Sequence, residues 1–243
     1  MFHKISSFFY FLIKSKNEHG VHSPFVFDLI TSCFYKKKNN EDLDVFLNYK
    51  KELLKNSLLL EITNLSFFSN LLISNKRVRL LINTLQYLNV DSILEIGTFI
   101  GDRTAALAST KENLKITTLE ENEQISTIIS KLFKKYHFKN VQIVTGSYDK
   151  TIPQALNNNN NDFIYFKGKN IDETTLKYFE FSLTYIHNDS VILFENIHSD
   201  KKSEKIWNHI KNNKKVTVTI DTFLWGFVFF RKEQEKEHFI IRI

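Results

Sequence analysis

A single cysteine, Cys33, stands in the 243-residue chain, so no internal disulfide can form and no cysteine-based zinc site can be built. One lone thiol suits a reducing compartment, and a cytoplasmic location is the expectation. Proline is down to two residues, methionine to one and arginine to five. The shortage of arginine bears on the formal charge of +6, which comes mostly from lysine. Guanidinium forks are what read bases and phosphates in pairs, so a solvated lysine-rich exterior is expected and no nucleic-acid partner. Long hydrophobic runs are also missing. The apolar run at residues 8–13 is too short to span a bilayer, and no small-residue cleavage site follows it. A helix packing on its own protein is expected there, with a peripheral amphipathic anchor as the alternative.

What remains is the make-up of an ordinary soluble domain, rich in phenylalanine, with 42% hydrophobic residues and 25% charged. Residues 1 to about 90 read as mostly helical. Ser23 caps a helix that Pro24 opens, over 24–35. A second helix is expected over 41–56 and a third over 76–88, while 57–75 read as a loop packing over something else. Past residue 90 short apolar runs recur at 92–96, 115–119, 141–145, 163–166 and 191–194, with helical stretches between them. That alternation predicts a parallel sheet covered by helices on both faces. Residues 216–221 and 226–231, joined by about four residues, read instead as an antiparallel pair, and 238–242 as a further strand. The asparagine run at 157–161 reads as a surface loop. The fold class is therefore α/β: a Rossmann-like three-layer sandwich over 76–243, preceded by a helical extension over 1–75 that would act as a lid.

Ligands in such sheets sit beyond the C-terminal ends of the strands. The first strand ends at Glu95, followed by Gly97 and Gly101, four residues apart, and an alanine-rich helix. This spacing is neither the dinucleotide fingerprint nor a P-loop. The second strand ends at Glu120, where a carboxylate can accept from the two hydroxyls of a ribose. The third ends in Gly146-Ser147-Tyr148, which can frame a base.

Glu95-x-Gly97-x-x-x-Gly101, then Glu120, then Gly146-Ser147 together resemble a class I S-adenosylmethionine-dependent methyltransferase. The loop style is similar to the catechol O-methyltransferase-like branch, and more closely to its bacterial members of unassigned substrate that carry the His-Gly-Val-His-Ser-Pro-Phe segment found at residues 19–25. The resemblance implies S-adenosylmethionine as cofactor. Glu95, Gly97 and Gly101 would border its methionine and ribose, Glu120 would hold the ribose hydroxyls, and Ser147 and Tyr148 would lie beside adenine. The partner implied is a small-molecule methyl acceptor, and pairing of the final strands would give a homodimer.

The chain departs from that pattern at two places. The fourth strand ends in Phe166-Lys167-Gly168-Lys169-Asn170, where relatives have Asp and His at the positions of Lys167 and Asn170. An ammonium there repels magnesium, which wants carboxylates, so transfer to oxygen without a metal ion is expected. Asn64-Leu65-Ser66-Phe67-Phe68-Ser69 replaces a glycine-bearing loop of the relatives. A hydroxyl acceptor needs its proton removed, and His198 is the first candidate base, with Glu195 to orient the acceptor or replace the base. Lys167 is a further candidate if burial lowers its pKa. His19 and His22 lack a third metal ligand nearby, and one of them is expected to order the turn before Ser23. The alternative reading is a degenerate methyltransferase fold that binds partners without catalysis; a nicotinamide oxidoreductase is disfavoured by the glycine spacing.

Overall fold

A computed structural model describes residues 2–36, 43–56, 59, 61, 72–158 and 161–243. The helices are α1 (Phe2–Lys14), α2 (Pro24–Leu29), α3 (Asp44–Lys55), α4 (Asn75–Tyr87), α5 (Asp102–Ala108), α6 (Glu123–Lys135), α7 (Tyr148–Asn158), α8 (Glu173–Ser182) and α9 (Lys201–Asn212). The strands are β1 (Ser92–Ile96), β2 (Lys115–Glu120), β3 (Val141–Thr145), β4 (Phe163–Phe166), β5 (Val191–Glu195), β6 (Val218–Asp221), β7 (Trp225–Phe229) and β8 (Glu237–Ile240). They form one eight-stranded sheet in the order β3-β2-β1-β4-β5-β7-β6-β8, in which β7 runs against both its neighbours. The expected mostly parallel sheet with a reversed strand near its end is what the chain forms. The chain divides into two compact units, residues 36–155 and residues 1–35 with 156–243.

Helix starts follow the side chains that can satisfy orphan N–H groups. Ser74 accepts from Arg77 N–H at 3.4 Å, Asn122 from Ile125 N–H at 3.0 Å, and Asp200 from Ser203 N–H at 2.8 Å. Asp172 and Thr175 cap α8 reciprocally. The strands β4 and β5 are buried at every residue, which is why they read as unbroken apolar runs.

In the unit of residues 36–155, β2 pairs in parallel with β1 and β3, in register Glu95↔Thr118 and Glu120↔Thr145. Tyr49 and Leu53 of α3 are fully buried among Ile129, Leu132 and Phe133 of α6 and Ile100. The helix α7 departs from expectation. Residues 157 and 158 end it, where a surface loop was anticipated, because Pro153 and the asparagines mask its helical pattern. Asn161, of the other unit, departs as well, being buried with its amide donating to Leu156 O at 3.3 Å and Tyr185 O at 3.4 Å.

In the other unit, Ser23 caps α2 through Val26 N–H and donates to Gln234 Oε1. The Phe25 ring meets Phe229 edge-on at 5.1 Å and carries the Arg231 guanidinium 4.6 Å from its centre. His19 and His22 are exposed, and neither orders the turn, contrary to expectation; Gly20 N–H to Asn17 O and Val21 N–H to Glu18 O close it. The helix α1 packs through Ser7 and Phe11, and Phe8 and Phe11 both meet Phe223. Beyond β8, Lys16 N–H donates to Ile240 O and Lys16 O accepts from Arg242 N–H.

Candidate functional site

The loop between β1 and α5 is held from two sides. Gly97 N–H and Thr98 N–H both donate to Leu119 O, at 3.1 and 2.9 Å, which fastens the loop to the end of β2. Gly97 (φ 100°), Phe99 (φ 51°) and Gly101 (φ 67°) all adopt left-handed backbone, and the chain turns sharply enough to aim Phe99 N–H at Glu120 Oε2, 2.7 Å away. The other oxygen of Glu120 accepts from Asn122 N–H at 2.9 Å, and its backbone O accepts from Gly146 N–H. Glu120 thus joins the glycine loop to the turn after β3. A carboxylate has about four acceptor positions, and internal bonds take two of them here.

Glu95 is placed differently. It is fully buried, and its Oε2 accepts from Thr104 Oγ1 at 2.5 Å and Thr118 Oγ1 at 2.6 Å. It braces β1, β2 and α5 from inside. Ser147 is exposed; Tyr148 is half-buried and opens α7 with its N–H on Glu121 Oε1 at 2.9 Å. Glu121 was missed in the sequence, as was the pair that follows Gly101. Asp102 is fully buried, accepting from Ile73 N–H at 2.7 Å, and the buried Arg103 donates to both its oxygens at 2.8 and 3.0 Å. The available signal was two charges at the head of a helix that is otherwise small and apolar. Residues 64–69, where the sequence departs from its relatives, lie outside the described residues.

An open cleft of about 330 Å³ also lies in this unit, lined by Asp44, Tyr136, Phe138 and residues 108–112. It sits at the far end of α5, roughly 10 Å along the helix from the glycine loop, and no sequence-predicted site residue lines it.

The remaining candidates belong to the unit of residues 1–35 and 156–243. Lys167 is half-buried and Asn170 exposed. Asn196 (φ 57°) donates its amide to Gly168 O at 2.6 Å and its N–H to Leu224 O at 2.7 Å, so one residue ties together three loops. Glu195 is buried, with Oε1 accepting from Tyr165 Oη at 2.6 Å and Trp225 Nε1 at 3.3 Å. Among the described residues no three His, Cys, Asp or Glu side chains come together in a way that could hold a metal ion.

Both ring nitrogens of His198 face carboxylates, Glu204 Oε1 at 2.9 Å and Asp221 Oδ2 at 2.7 Å, and its ring stacks on Phe223 at 5.3 Å. His3 of α1 reaches the second oxygen of Glu204 at 3.3 Å. Burial alone lowers the pKa of His198, but the hydrogen bond and charge of Asp221, joined by those of Glu204, raise it above the ordinary value. As an imidazolium it donates from both nitrogens and has no lone pair with which to take a proton. Because the folded pKa lies above the unfolded one of about 6.5, protonation favours the folded chain. Its contribution is fully present below the unfolded value and is lost as pH rises through the folded one. Glu204 behaves in the opposite sense. Burial pushes its pKa up, yet Ser7 and His198 bring it below the usual carboxylate value, so its contribution fades only in acid. Urea denaturation should therefore show wild type ahead of His198→Asn by most near pH 6, with the gap narrowing toward alkaline pH; a gap that widened there would refute this account.

Known proteins share the fold. The O-methyltransferase family profile matches residues 46–225. Similar solved structures include the O-methyltransferase from Bacillus cereus in complex with S-adenosylhomocysteine, 18% identical with a TM-score of 0.60, covering 80% of this chain and 93% of that one. The S-adenosylhomocysteine-bound methyltransferase PaMTH1 of Podospora anserina is 14% identical with a TM-score of 0.63, over 78% of this chain and 88% of its own. TomG of Streptomyces achromogenes, an O-methyltransferase of tomaymycin synthesis solved with S-adenosylmethionine, is 14% identical with a TM-score of 0.60, over 84% and 95%. No curated protein matches the sequence. With the matched segment running from α3 to the start of β7, the chain belongs to the O-methyltransferase family and has its Rossmann-like fold.

Proposed function

We propose that the protein is an S-adenosylmethionine-dependent O-methyltransferase acting on a small molecule without a metal ion. The observation that carries the reading is the Glu120 carboxylate, fixed at the end of β2 by two backbone N–H groups and retaining acceptor positions for two adjacent hydroxyls. This donor and acceptor set fits a ribose. S-adenosylmethionine, when bound, supplies a methyl group on a sulfonium, a strong electrophile for which alignment of the acceptor supplies most of the rate.

The chain's own residues then divide the work. Glu120 accepts from the ribose, Gly97 lets the loop backbone come close to the methionine and ribose portions with Gly101 bordering them, and Ser147 and Tyr148 flank adenine. Glu95 stiffens the loop from below through Thr104 and Thr118. The helical extension serves as the lid, a reading supported by Tyr49 Oη donating to Ile100 O inside the glycine loop at 3.1 Å. Metal independence is supported by the ammonium of Lys167 at the end of β4 and by the tie of Asn196 to Gly168. His198 is the candidate base, and Glu195 the candidate to orient the acceptor or to replace that base. His198 becomes the base only by losing its proton and parting from Asp221 or Glu204, whereas an acceptor already acidic, such as a phenol, needs no base from the chain.

The internal bonds of Glu195 and His198 also favour a second reading, a methyltransferase fold retained for binding without transfer. Calorimetric titration with S-adenosylmethionine and S-adenosylhomocysteine tests the first. Wild type should bind, and ligand at a hundredfold excess over Kd should add about 2.7 kcal/mol of stability. Glu120→Ala should weaken binding about tenfold or more, the loss of a hydrogen-bonded charged partner. Absence of binding at millimolar ligand would sink the cofactor reading. Binding with no S-adenosylhomocysteine released across a panel of phenols and catechols would favour the second.

A further inference from the structure

The helix α1 faces the wrong way for a surface helix that has finished packing. Its buried side is narrow and mixed, holding Ser7 and Phe11, with His3 half-buried beside them. Its outward side is apolar: Ile5 is 48% exposed, Phe8 42%, Phe9 61%, Tyr10 59% and Ile13 80%. At 3.6 residues per turn, Phe8, Leu12, Ile5, Phe9 and Ile13 span an arc of about 140°. Lys4 borders that arc on one side, and Tyr10 followed by Lys14 borders it on the other. Lys16 follows directly, and the first acid of the chain is Glu18.

We propose that this face of α1 lies on an anionic lipid surface. An apolar stripe carrying aromatic rings, edged by lysines that can snorkel toward headgroups, is what the boundary between acyl chains and headgroups accommodates. Charge chooses between occupants. In an antiparallel pairing with a second copy, Lys4 would approach the mate's Lys14, and α1 carries no acid to meet either. A leaflet containing anionic lipid meets all three lysines favourably. Among the described residues no helix is long and apolar enough to cross a membrane, so α1 would lie in the plane of the interface. Its seating on the protein does not use Ile5, Phe9 or Ile13, because Phe11, with Phe8 at the edge of the face, holds Phe223 and His3 reaches Glu204. The proposal does not depend on methyl transfer.

Co-sedimentation with vesicles tests it, using phosphatidylcholine alone and phosphatidylcholine with about one-third phosphatidylserine. The full chain should partition at least about tenfold more onto the anionic vesicles and be released by high salt. Phe9→Ser combined with Ile13→Ser should remove about tenfold or more of that binding while circular dichroism and melting temperature stay unchanged. Should that variant fail to fold, Lys4→Glu with Lys14→Glu carries the test, since it leaves the apolar face intact and should abolish the preference for phosphatidylserine. Equal binding by wild type and variants, or none to anionic vesicles, overturns the proposal. So does a wild-type dimer that Phe9→Ser with Ile13→Ser makes monomeric and that ignores vesicles; the face would then belong to a second copy.

Discussion

Gly101→Ala will destabilise the chain by about 2–5 kcal/mol, measured as a lower denaturant midpoint. Two costs combine. At φ 67° the backbone occupies a region that disfavours any side chain carrying a Cβ. The new methyl would also lie 2.7 Å from Tyr49 Oη, 2.8 Å from Ile129 Cγ2 and 2.9 Å from Phe133 Cζ. All three neighbours are buried in one cluster, so none has room to swing aside. Tyr49 is further held by its bond to Ile100 O, and burial, followed by the nearby charges of Asp102 and Glu95, keeps its phenol protonated and donating. Adding Tyr49→Phe to Gly101→Ala removes the closest clashing atom and should recover part of the loss. No recovery would mean that the cost lies in backbone strain and the contacts with Ile129 and Phe133, not in the Tyr49 hydroxyl. The same substitution should weaken cofactor binding, because the loop that displays Phe99 N–H to Glu120 ends on these contacts.

Asp102→Ala will cost about 3–5 kcal/mol, the usual consequence of removing one side of a buried ion pair. The carboxylate answers both the Arg103 guanidinium and Ile73 N–H, so its loss takes a bidentate carboxylate from a buried cation and the acceptor from a buried amide. Replacing both members, with Asp102→Leu and Arg103→Met, should restore much of the stability, since an apolar pair carries no desolvation penalty. Thermal and urea denaturation of the two single variants and the double variant form a complete cycle. A double variant as unstable as the sum of the singles would show that the two side chains are not coupled, and would refute the ion-pair account.

The strands were legible as short runs rich in apolar and β-branched residues, continuous in β4, which is buried at every residue, and broken in β3, which is half-buried to exposed. β1, β3 and β4 fall at 92–96, 141–145 and 163–166, the bounds read in the sequence. α7 was not legible, because propensity opposes it at Pro153 and at its asparagine tail while tertiary packing sustains it. Within the candidate site, Glu120 was visible as an acid at a strand end, but the backbone donors that orient it come from a left-handed Phe99 that glycine spacing does not announce. The partners of His198 were hidden for another reason. Glu204 and Asp221 lie 6 and 23 residues further along the chain and meet it only once β5, α9 and β6 are assembled. Glu95 shows the same limit, since the reach of Thr104 back across a turn is a property of the folded loop.

The pairing of Lys16 with the far side of β8 changes how the sheet ends. An outermost strand usually presents a row of unsatisfied donors and acceptors, a template on which another chain can grow an aggregate. Here Ile240 O and Arg242 N–H are already taken by the segment that follows α1, and β8 itself is four residues long. The short, partly occupied rim leaves little for an incoming strand to copy. Solubility at this edge therefore depends on the first sixteen residues staying in place, and a protease that cut between α1 and α2 would expose a template for self-association.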